Sequence, residues 1–334
     1  MASRPEVLIR TSERTSFKRC RQSWHWAYND KLKPHYDAPA LRFGTLIHKA
    51  LELRYPPGVR RGPHPTATFR KLYEEELQEA GKMGFRDEDG NWQDMGELGE
   101  VMLDGFIKRY DEEDKQYKVL AAEQVFMIPC SVMVAGERKR FGYVGTIDVT
   151  MQDRSNGRIF FRDYKTAKSI STGHLALDEQ AGAYWTYGPK WLQTQGILKA
   201  DQTISHIQYI FLRKAKPDAR EKNGAGQYLN KDGTVSKNQP PPLFQTEIVY
   251  RDDADRRSVH QRVLNEVSEI MQVRSGDLAV YKNPGPFTCS MCAYKDMCEL
   301  HESNQDWEAM RDATMQQWLP YEAHDLDPKD GFRG

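Results

Sequence analysis

The spacing of hydrophobic residues along this chain changes near Lys118. Before that point apolar residues recur at helical intervals, which predicts helices over residues 12–28, 46–54, 69–80 and 97–114. After it, β-branched and aromatic residues form runs separated by short polar turns, which predicts consecutive strands over residues 119–134, 140–152 and 158–166. The chain therefore begins with helices and continues into a meander of strands.

The remaining pattern predicts a helix, a strand, a long polar loop, a strand and a helix, at residues 175–195, 204–212, 214–242, 243–250 and 253–275. Gly188-Pro189 should break or kink the first of these helices, because proline removes a backbone donor. This order of elements predicts an α+β fold with a mixed central sheet.

We expect three regions along the chain. Residues 1–117 would be helical, residues 118–250 would form the sheet-bearing core, and residues 251–334 would carry a helix, a cysteine cluster and an acidic tail. Trp307 and Trp318 are the expected docking points of that tail.

The overall composition gives no sign of a polyanionic partner. Lys+Arg and Asp+Glu balance at 48 each, and the mean hydropathy of -0.77 indicates a polar-surfaced protein. The sequence has neither a signal-like apolar segment near its start nor a run long enough to cross a bilayer. We therefore expect a cytoplasmic protein, in which clustered cysteines indicate a metal rather than disulfides.

The stretch from Gly145 to Lys165 holds the most concentrated chemistry. Two strand-like runs flank an Asn-Gly turn, which predicts a hairpin. Asp163 and Lys165 would share one face of their strand, because side chains alternate. If Asp148 faces the same side, two carboxylates and an ammonium group converge. Carboxylates held that close repel each other unless a cation lies between them, so the stretch predicts a site for Mg²⁺.

Two other pairs are uninformative in isolation. His48 and Glu52 lie four residues apart on a predicted helix that Thr45 would cap, and this spacing is typical of a surface pair. Gln180 and Tyr184 have the same spacing, which by itself indicates a packed tyrosine beside an exposed glutamine.

The cysteines predict a second metal site. Cys289, Cys292 and Cys298 lie within ten residues, so a four-thiolate site needs one more ligand. Cys20 and Cys130 are the candidates; Cys130 lies in an apolar strand, whereas the basic neighbours of Cys20 favour a thiolate. Zinc sites usually pair two close doublets, so one remote and three clustered ligands favour an iron–sulfur cluster, although spacing alone leaves zinc open.

The predicted first helix combines aromatic and basic residues. Its expected surface residues are Arg14, Lys18, Arg19, Arg21 and His25. Such a surface could follow a phosphate backbone, or it could be an ordinary solvated face over a packed apolar stripe. The polar loop 214–242 is a second candidate for phosphate contact, because its length is typical of a segment that orders on a partner.

In combination, these motifs resemble a known family. Elements similar to the motifs of RecB-type nucleases in the PD-(D/E)XK superfamily occur in the family's order: Phe43-Gly44-Thr45-x-x-His48, Gly145-x-x-Asp148, Asp163-Tyr164-Lys165 and Gln180-x-x-x-Tyr184. Cys20 with the three clustered cysteines resembles the iron–sulfur branch, which includes AddB-type nuclease domains and CRISPR-associated exonucleases. The resemblance covers roughly residues 12–55, 123–212 and 289–298.

The resemblance implies a restriction-endonuclease-like core flanked by helices and a role for each motif residue. His48, Asp148 and Asp163 would ligate Mg²⁺ or Mn²⁺, helped by the backbone carbonyl of Tyr164. Lys165 would activate the attacking water, and Gln180 and Tyr184 would contact the lysine or the DNA backbone. Glu123 matches an acidic family position only loosely. Cys20, Cys289, Cys292 and Cys298 would hold a 4Fe-4S cluster.

The implied function is a metal-dependent DNA nuclease. An exonuclease acting on DNA ends or single strands is expected, with a role in DNA recombination, repair or replication and protein partners in such a complex. The first alternative is a non-catalytic iron–sulfur DNA-binding or adaptor protein that keeps the nuclease fold. The second is a zinc-stapled protein with an unrelated enzymatic role.

Overall fold

The computed structural model describes residues 7–35, 39–82, 86–87 and 90–322. The helices are, in chain order, α1 (Thr11–Arg19), α2 (Arg21–Trp24), α3 (Pro39–Arg54), α4 (Pro65–Lys82), α5 (Asn91–Asp114), α6 (Glu179–Thr194), α7 (Asp253–Ser275), α8 (Pro286–Ser290), α9 (Lys295–Glu302) and α10 (Trp307–Thr314). A π-helical turn, His25–Asn29, follows α2, and a 3-10 turn, Leu175–Leu177, precedes α6.

The strands are β1 (Leu8–Ile9), β2 (Leu32–Pro34), β3 (Tyr117–Val134), β4 (Glu137–Asp153), β5 (Ile159–Ala167), β6 (Ile204–Arg213), β7 (Phe244–Val249) and β8 (Met315–Gln317). One mixed sheet has the order β1-β4-β5-β6-β7, and β3 pairs with β4. The β3–β4, β4–β5 and β6–β7 pairs are antiparallel, whereas β1–β4 and β5–β6 are parallel. The predicted α+β architecture with a mixed sheet is therefore confirmed.

Helices cover both faces of this sheet. On one face, α3, α4 and α5 bury Ile47, Phe69 and Leu103 against Ile210 of β6. On the other face, α1, α6 and α7 pack around the opposite side chains of β4 to β6. Strands β4, β5 and β6 thus bury residues on both sides, which explains why their sequences are nearly continuous in apolar residues.

The C-terminal segment returns to the N-terminal one. Strand β8 pairs with β2, and the indole nitrogen of Trp318 donates to the carbonyl of Ala27 at 2.9 Å. The ring of Trp307 lies 6.3 Å from that of Trp26. Both tryptophans therefore dock the tail, as predicted; the part of the tail beyond Glu322 lies outside the described residues.

Three predicted details of the helices are wrong. Helix α3 begins at Pro39, so Thr45 lies inside it and is not its cap; proline is favoured in a first turn, where its missing N–H has no partner to lose. The predicted helix over residues 12–28 is interrupted at Cys20, whose backbone is extended (φ -164°). Helix α6 continues through Pro189, so the predicted break does not occur.

The continuity of α6 has a local cause. Pro189 cannot donate to the carbonyl four residues earlier, which belongs to Trp185. That carbonyl accepts a hydrogen bond from Nε of Arg256 on α7 at 3.2 Å. A neighbouring helix thus satisfies the acceptor that the proline leaves open.

The other predicted elements are confirmed, and the helix predicted over residues 253–275 has those bounds. It begins with a capping box formed by Asp252 and Asp255. Helix α5 begins at Asn91, six residues before the predicted start, whereas the ends of the remaining elements differ by four residues or fewer. Parts of the predicted connector between α4 and α5 lie outside the described residues. None of the described helices is both long enough and apolar enough to span a membrane.

Candidate metal centre and cleft

The candidate site lies where the sheet opens. Strand β3 pairs with β4 along the whole length of β4, so β1 and β5 must share the other edge of β4. On that edge β1 reaches Tyr143 and β5 begins to pair at Val149. Between these two points, β4 has no strand of the described residues on that edge up to Asp148, and the open edge faces a cleft.

Beyond Val149, where backbone pairing between β4 and β5 ends, the carboxylate of Asp148 replaces a backbone acceptor. Its Oδ2 accepts a hydrogen bond from the backbone N–H of Tyr164 at 2.9 Å. This contact satisfies a buried donor just where the two strands diverge, and it fixes the carboxylate against β5. Asp148 is 8% exposed, so its charge is held inside the protein rather than in solvent.

Three potential ligands converge beside this point. One ligand atom each from His48, Glu123 and Asp148 lies within 4.8 Å of the other two. The Nδ1 atom of His48 is 3.4 Å from Oδ2 of Asp148. Among the described residues this is the one group of three or more histidine, cysteine or acidic side chains that meets so closely.

Glu123 enters the group through an irregularity in β3. The register pairs Ala122 with Val149 and Gln124 with Ile147, which places Glu123 directly across from Asp148. Its φ of 43° lies in the left-handed region, which is uncommon for a residue other than glycine. Two carboxylates opposite each other in a sheet repel. A strained backbone that holds them together is typical of a functional site.

The electrostatics of the group favour a bound cation. Burial, and after it the charge of Asp148, raises the pKa of Glu123 to about 8. An imidazole nitrogen and carboxylate oxygens are donors that suit Mg²⁺ or Mn²⁺. The residues therefore fit the divalent metal that the sequence predicts, with Glu123 as an additional ligand.

A polar chain extends from the ligand group to α6. The Nζ atom of Lys165 is 2.8 Å from Oδ2 of Asp163 and donates to Oε1 of Gln180 at 2.8 Å. The amide nitrogen of Gln180 in turn donates to the hydroxyl of Tyr184 at 2.5 Å. Gly145 makes room for this chain, because a Cβ there would lie 3.4 Å from the ring of Tyr184 and 2.8 Å from Phe126.

Asp163 and Lys165 each shift the pKa of the other. Burial raises the pKa of Asp163 to about 6, against the opposing charge of Lys165. Burial would lower the pKa of Lys165, but the nearby carboxylates of Asp163 and Asp148 outweigh it and raise that pKa. Lys165 is therefore a cation at neutral pH, aimed at the same small volume as the ligand group.

The structure thus brings all the predicted site residues of the β4–β5 hairpin and α6 to one place, together with His48 from α3. Asp163 lies beside the three-residue ligand group rather than in it, and its nearest charge is Lys165. Sequence reasoning noted Glu123 only as a loose family match. Its position opposite Asp148 depends on the β3–β4 register, and no local pattern in the sequence reveals that register.

A cleft of about 850 Å³ leads to the site. Its lining includes His48, Asp148, Gln180 and Tyr184 on one side. The opposite wall is α1, which contributes residues one turn apart: Thr11, Ser12, Thr15, Ser16, Lys18 and Arg19. Hydroxyl and basic groups of α1 thus line the same cleft as the candidate metal centre.

The predicted basic surface of α1 needs correction. Arg14 is 1% exposed and lies in the interior, where Nε is 2.7 Å from Glu266 and Nη2 is 3.3 Å from Glu179. Lys18 also pairs with both of these glutamates. Partly buried acids from α6 and α7 thus neutralise these two cations.

Of the remaining two arginines of the predicted basic surface, Arg21 is paired with a carboxylate of the described residues and Arg19 is not. Arg21 pairs with Glu269 at 2.7 Å and lies over the ring of Tyr281. Arg19 is exposed, lines the cleft and makes no ion pair within the described part of the chain. Arg19 is therefore the residue of α1 that best fits contact with a phosphate.

A second cavity, of about 510 Å³, is lined by all four cysteines that the sequence groups together: Cys20, Cys289, Cys292 and Cys298. The interruption after α1 places Cys20 at this cavity, opposite α8 and α9. The backbone N–H of Asn283 donates to the sulfur of Cys20 at 3.4 Å. Although burial opposes it, donors that include the backbone N–H groups of Ser23 and Asn283 lower the pKa of Cys20.

The four thiols share a cavity but are not in close contact. No three cysteine sulfurs in the described residues lie within 4.8 Å of one another. Four thiolates are the donor set of both tetrahedral zinc and iron–sulfur clusters, so the cavity fits either kind of metal group. Cys130 is not in the lining, and burial raises its pKa to about 11.

Comparison with known proteins comes chiefly from a family model. The model described as PD-(D/E)XK nuclease superfamily matches residues 11–299 of this chain. A search of curated proteins finds no match.

Two solved structures show a distant likeness. A protein from Eubacterium rectale, described as a candidate exonuclease, has 10% identity and a TM-score of 0.47, and the match covers 87% of each chain. The structure of SSO0001 has 12% identity and a TM-score of 0.29, and the match covers 78% of this chain and 95% of that one. Both likenesses are too distant to support an argument, so the family model carries the comparison.

Proposed function

Because this chain belongs to the PD-(D/E)XK nuclease superfamily, we propose that it is a divalent-metal-dependent deoxyribonuclease. Its proposed activity is that of an exonuclease on DNA ends or single strands, in recombination, repair or replication. The observation that carries this proposal is the group of His48, Glu123 and Asp148 within 4.8 Å, with the ammonium group of Lys165 held beside it by Asp163 and Gln180.

The proposed ligands of the metal are His48, Asp148 and Asp163, with Glu123 as a further carboxylate. A bound Mg²⁺ or Mn²⁺ supplies Lewis-acid activation of water and neutralises charge on the phosphate. His48 would bind the metal through one imidazole nitrogen, and its Nδ1 lies 3.4 Å from Oδ2 of Asp148. The three carboxylates attract the cation.

Lys165 and α6 complete the proposed chemistry. The ammonium group of Lys165 would donate to the attacking oxygen or to a phosphate oxygen, where negative charge develops during the displacement. Gln180 accepts from Lys165 and so fixes the direction of that donor, and Tyr184 fixes Gln180. These contacts exist before substrate arrives, so little reorganisation is needed during the reaction.

We further propose that Cys20, Cys289, Cys292 and Cys298 hold a 4Fe-4S cluster of the RecB-like iron–sulfur branch. Support comes from the cavity that these four cysteines line together, with one remote and three clustered ligands along the chain. The cluster would join the end of α1 to α8 and α9. Because α1 forms one wall of the cleft, the cluster would also hold that wall in place.

The direct test is a cleavage assay with end-labelled single- and double-stranded DNA, with Mg²⁺, Mn²⁺ or EDTA. We expect metal-dependent release of short products from the labelled ends and no product with EDTA. A circular substrate of each kind separates exonuclease from endonuclease action, because circles have no ends. Binding without cleavage under every metal condition would favour the adaptor alternative instead.

Metal binding should raise the thermal stability of the protein. A ligand that binds only the folded state stabilises it by about 2.7 kcal/mol at 100 times its Kd. For a chain of this size that corresponds to a rise in Tm of roughly 5 °C. Scanning calorimetry with and without Mn²⁺ measures the rise. His48→Ala should reduce it, whereas His64→Ala, which changes an exposed histidine outside the site, should leave it unchanged.

Arg19 should contribute one phosphate contact. Arg19→Ala should weaken single-strand binding and lower the slope of log K against log salt by about 0.7, the value for one released counterion. Fluorescence anisotropy over a series of salt concentrations, in Ca²⁺ to prevent cleavage, measures the slope. Arg21→Ala is the matched control, because Arg21 pairs with Glu269 and does not line the cleft. Equal slopes for wild type and Arg19→Ala would exclude the contact.

A further inference from the structure

A buried ion pair lies on the face of the sheet opposite the polar chain that Lys165 begins. Arg162 of β5 and Asp114 at the end of α5 are each 0% exposed. The guanidinium donates to both oxygens of Asp114, at 2.7 and 2.8 Å. Its Nε donates to Oε1 of Gln208 on β6 at 2.7 Å. None of these groups has a part in the chemistry described above.

The pair is connected to the metal ligands on two sides. Arg162 directly precedes Asp163, and since side chains alternate along a strand, anchoring Arg162 on one face fixes how Asp163 projects from the other. On the second side, Asp114 accepts a hydrogen bond from the hydroxyl of Tyr55, the residue that follows the last turn of α3. Helix α3 is the element that carries His48.

The aromatic rings provide a second link to His48. The ring of Tyr55 stacks on that of Tyr164, with centroids 6.3 Å apart. The ring of Tyr164 meets the imidazole of His48 edge-on at 6.2 Å. A shift of Tyr55 relative to Arg162 would therefore move His48 relative to Asp148 and Asp163.

Stability alone is a poor explanation for such a pair. Removing two charges from water costs nearly as much as their attraction returns, and apolar replacements of buried pairs are often neutral. A bidentate pair does, however, impose one geometry on the groups that it joins. We propose that Asp114 is a positioning residue, which through Arg162 and Tyr55 sets the separation between His48 and the carboxylates on β4 and β5.

This inference rests on the proposed metal-dependent function, and the test reads metal binding directly. Tyr55→Phe removes the hydroxyl that donates to Asp114 and keeps the packed ring, so the variant should fold. Asp114→Asn removes the charge. Supporting partners outside the ligand shell typically change metal affinity 10–100-fold, so we expect each variant to bind Mn²⁺ at least about tenfold more weakly by calorimetry. The kcat should fall while the KM for DNA stays constant.

The matched control is Asp111→Asn. Asp111 pairs with Arg54 at 2.5 Å and so also joins α5 to α3, but no contact of this pair reaches β5. A merely structural role would lower Tm in all three variants and leave Mn²⁺ affinity unchanged, which would overturn the inference. If Asp114→Asn fails to fold, Tyr55→Phe decides the outcome.

The two proposals can fail separately. Wild-type protein that binds Mn²⁺ but cleaves no DNA would refute the proposed function, while the Mn²⁺ affinities of Tyr55→Phe and Asp114→Asn would still test the positioning role. Wild-type protein that cleaves DNA while Tyr55→Phe retains full Mn²⁺ affinity would refute the positioning role alone. Wild-type protein that binds no Mn²⁺ would overturn both.

Discussion

Asp163→Asn and Lys165→Met should each reduce DNA cleavage by at least about 10³-fold in kcat, since each removes a group that stabilises charge in the transition state. Asp163→Asn removes a carboxylate from the edge of the candidate metal centre and leaves Lys165 without its ion-pair partner. Lys165→Met removes the positive charge and keeps the length of the side chain. End-labelled cleavage under single-turnover conditions measures the effect.

Controls for this prediction come from the far end of β4, where it pairs with β3. Glu137→Gln and Lys139→Met change an exposed ion pair at the start of β4, whose atoms are 2.5 Å apart. They should cleave DNA at the wild-type rate. Tm values within a few degrees of wild type would show that the site variants are folded. Near-normal cleavage by both Asp163→Asn and Lys165→Met would refute the assignment of the site.

Loss of one clustered cysteine should have the second largest effect. Cys292→Ser should abolish the brown colour and the iron content of anaerobically purified protein. Because the binding energy of such a group is also folding energy, we expect a loss of about 3 kcal/mol or more. That corresponds to a fall in Tm of roughly 5 °C or more. Absorbance spectra, metal analysis and calorimetry measure the three effects.

The matched control for the cluster is Cys130→Ser. Cys130 lies on β3 outside the cysteine cavity, and the high pKa of its thiol is typical of a packed, unligated side chain. This variant should keep its colour and its iron. Colourless wild-type protein with one zinc per chain would contradict the iron–sulfur assignment, while still supporting four cysteine ligands.

The cleft and the proposed cluster connect these two predictions through α1. The last residues of this helix line the cleft, and Cys20, which follows it, lines the cysteine cavity. Cluster loss should therefore weaken DNA binding as well as stability. In contrast, the Asp163 and Lys165 variants should bind DNA and fail only to cleave it.

Much of this protein follows from its sequence. The change of hydrophobic period near Lys118 determined the order of helices and strands, because burial on one stripe or on alternate positions needs different spacings. The Asn-Gly turn predicted the β4–β5 hairpin, and with it the shared face of Asp163 and Lys165. The four-residue spacing of Gln180 and Tyr184 placed them on one helix face, where they are hydrogen-bonded.

Tertiary structure alone decided the rest, since it concerns residues far apart in the chain. The strand register places Glu123 opposite Asp148. Acids on α6 and α7 pair with Arg14, which is why that arginine can be buried. Cys20, in the break after α1, lines the same cavity as the other three cysteines. Local sequence determines on which face of a helix or strand a residue lies. The packing of elements distant in the chain determines which residues that face contacts.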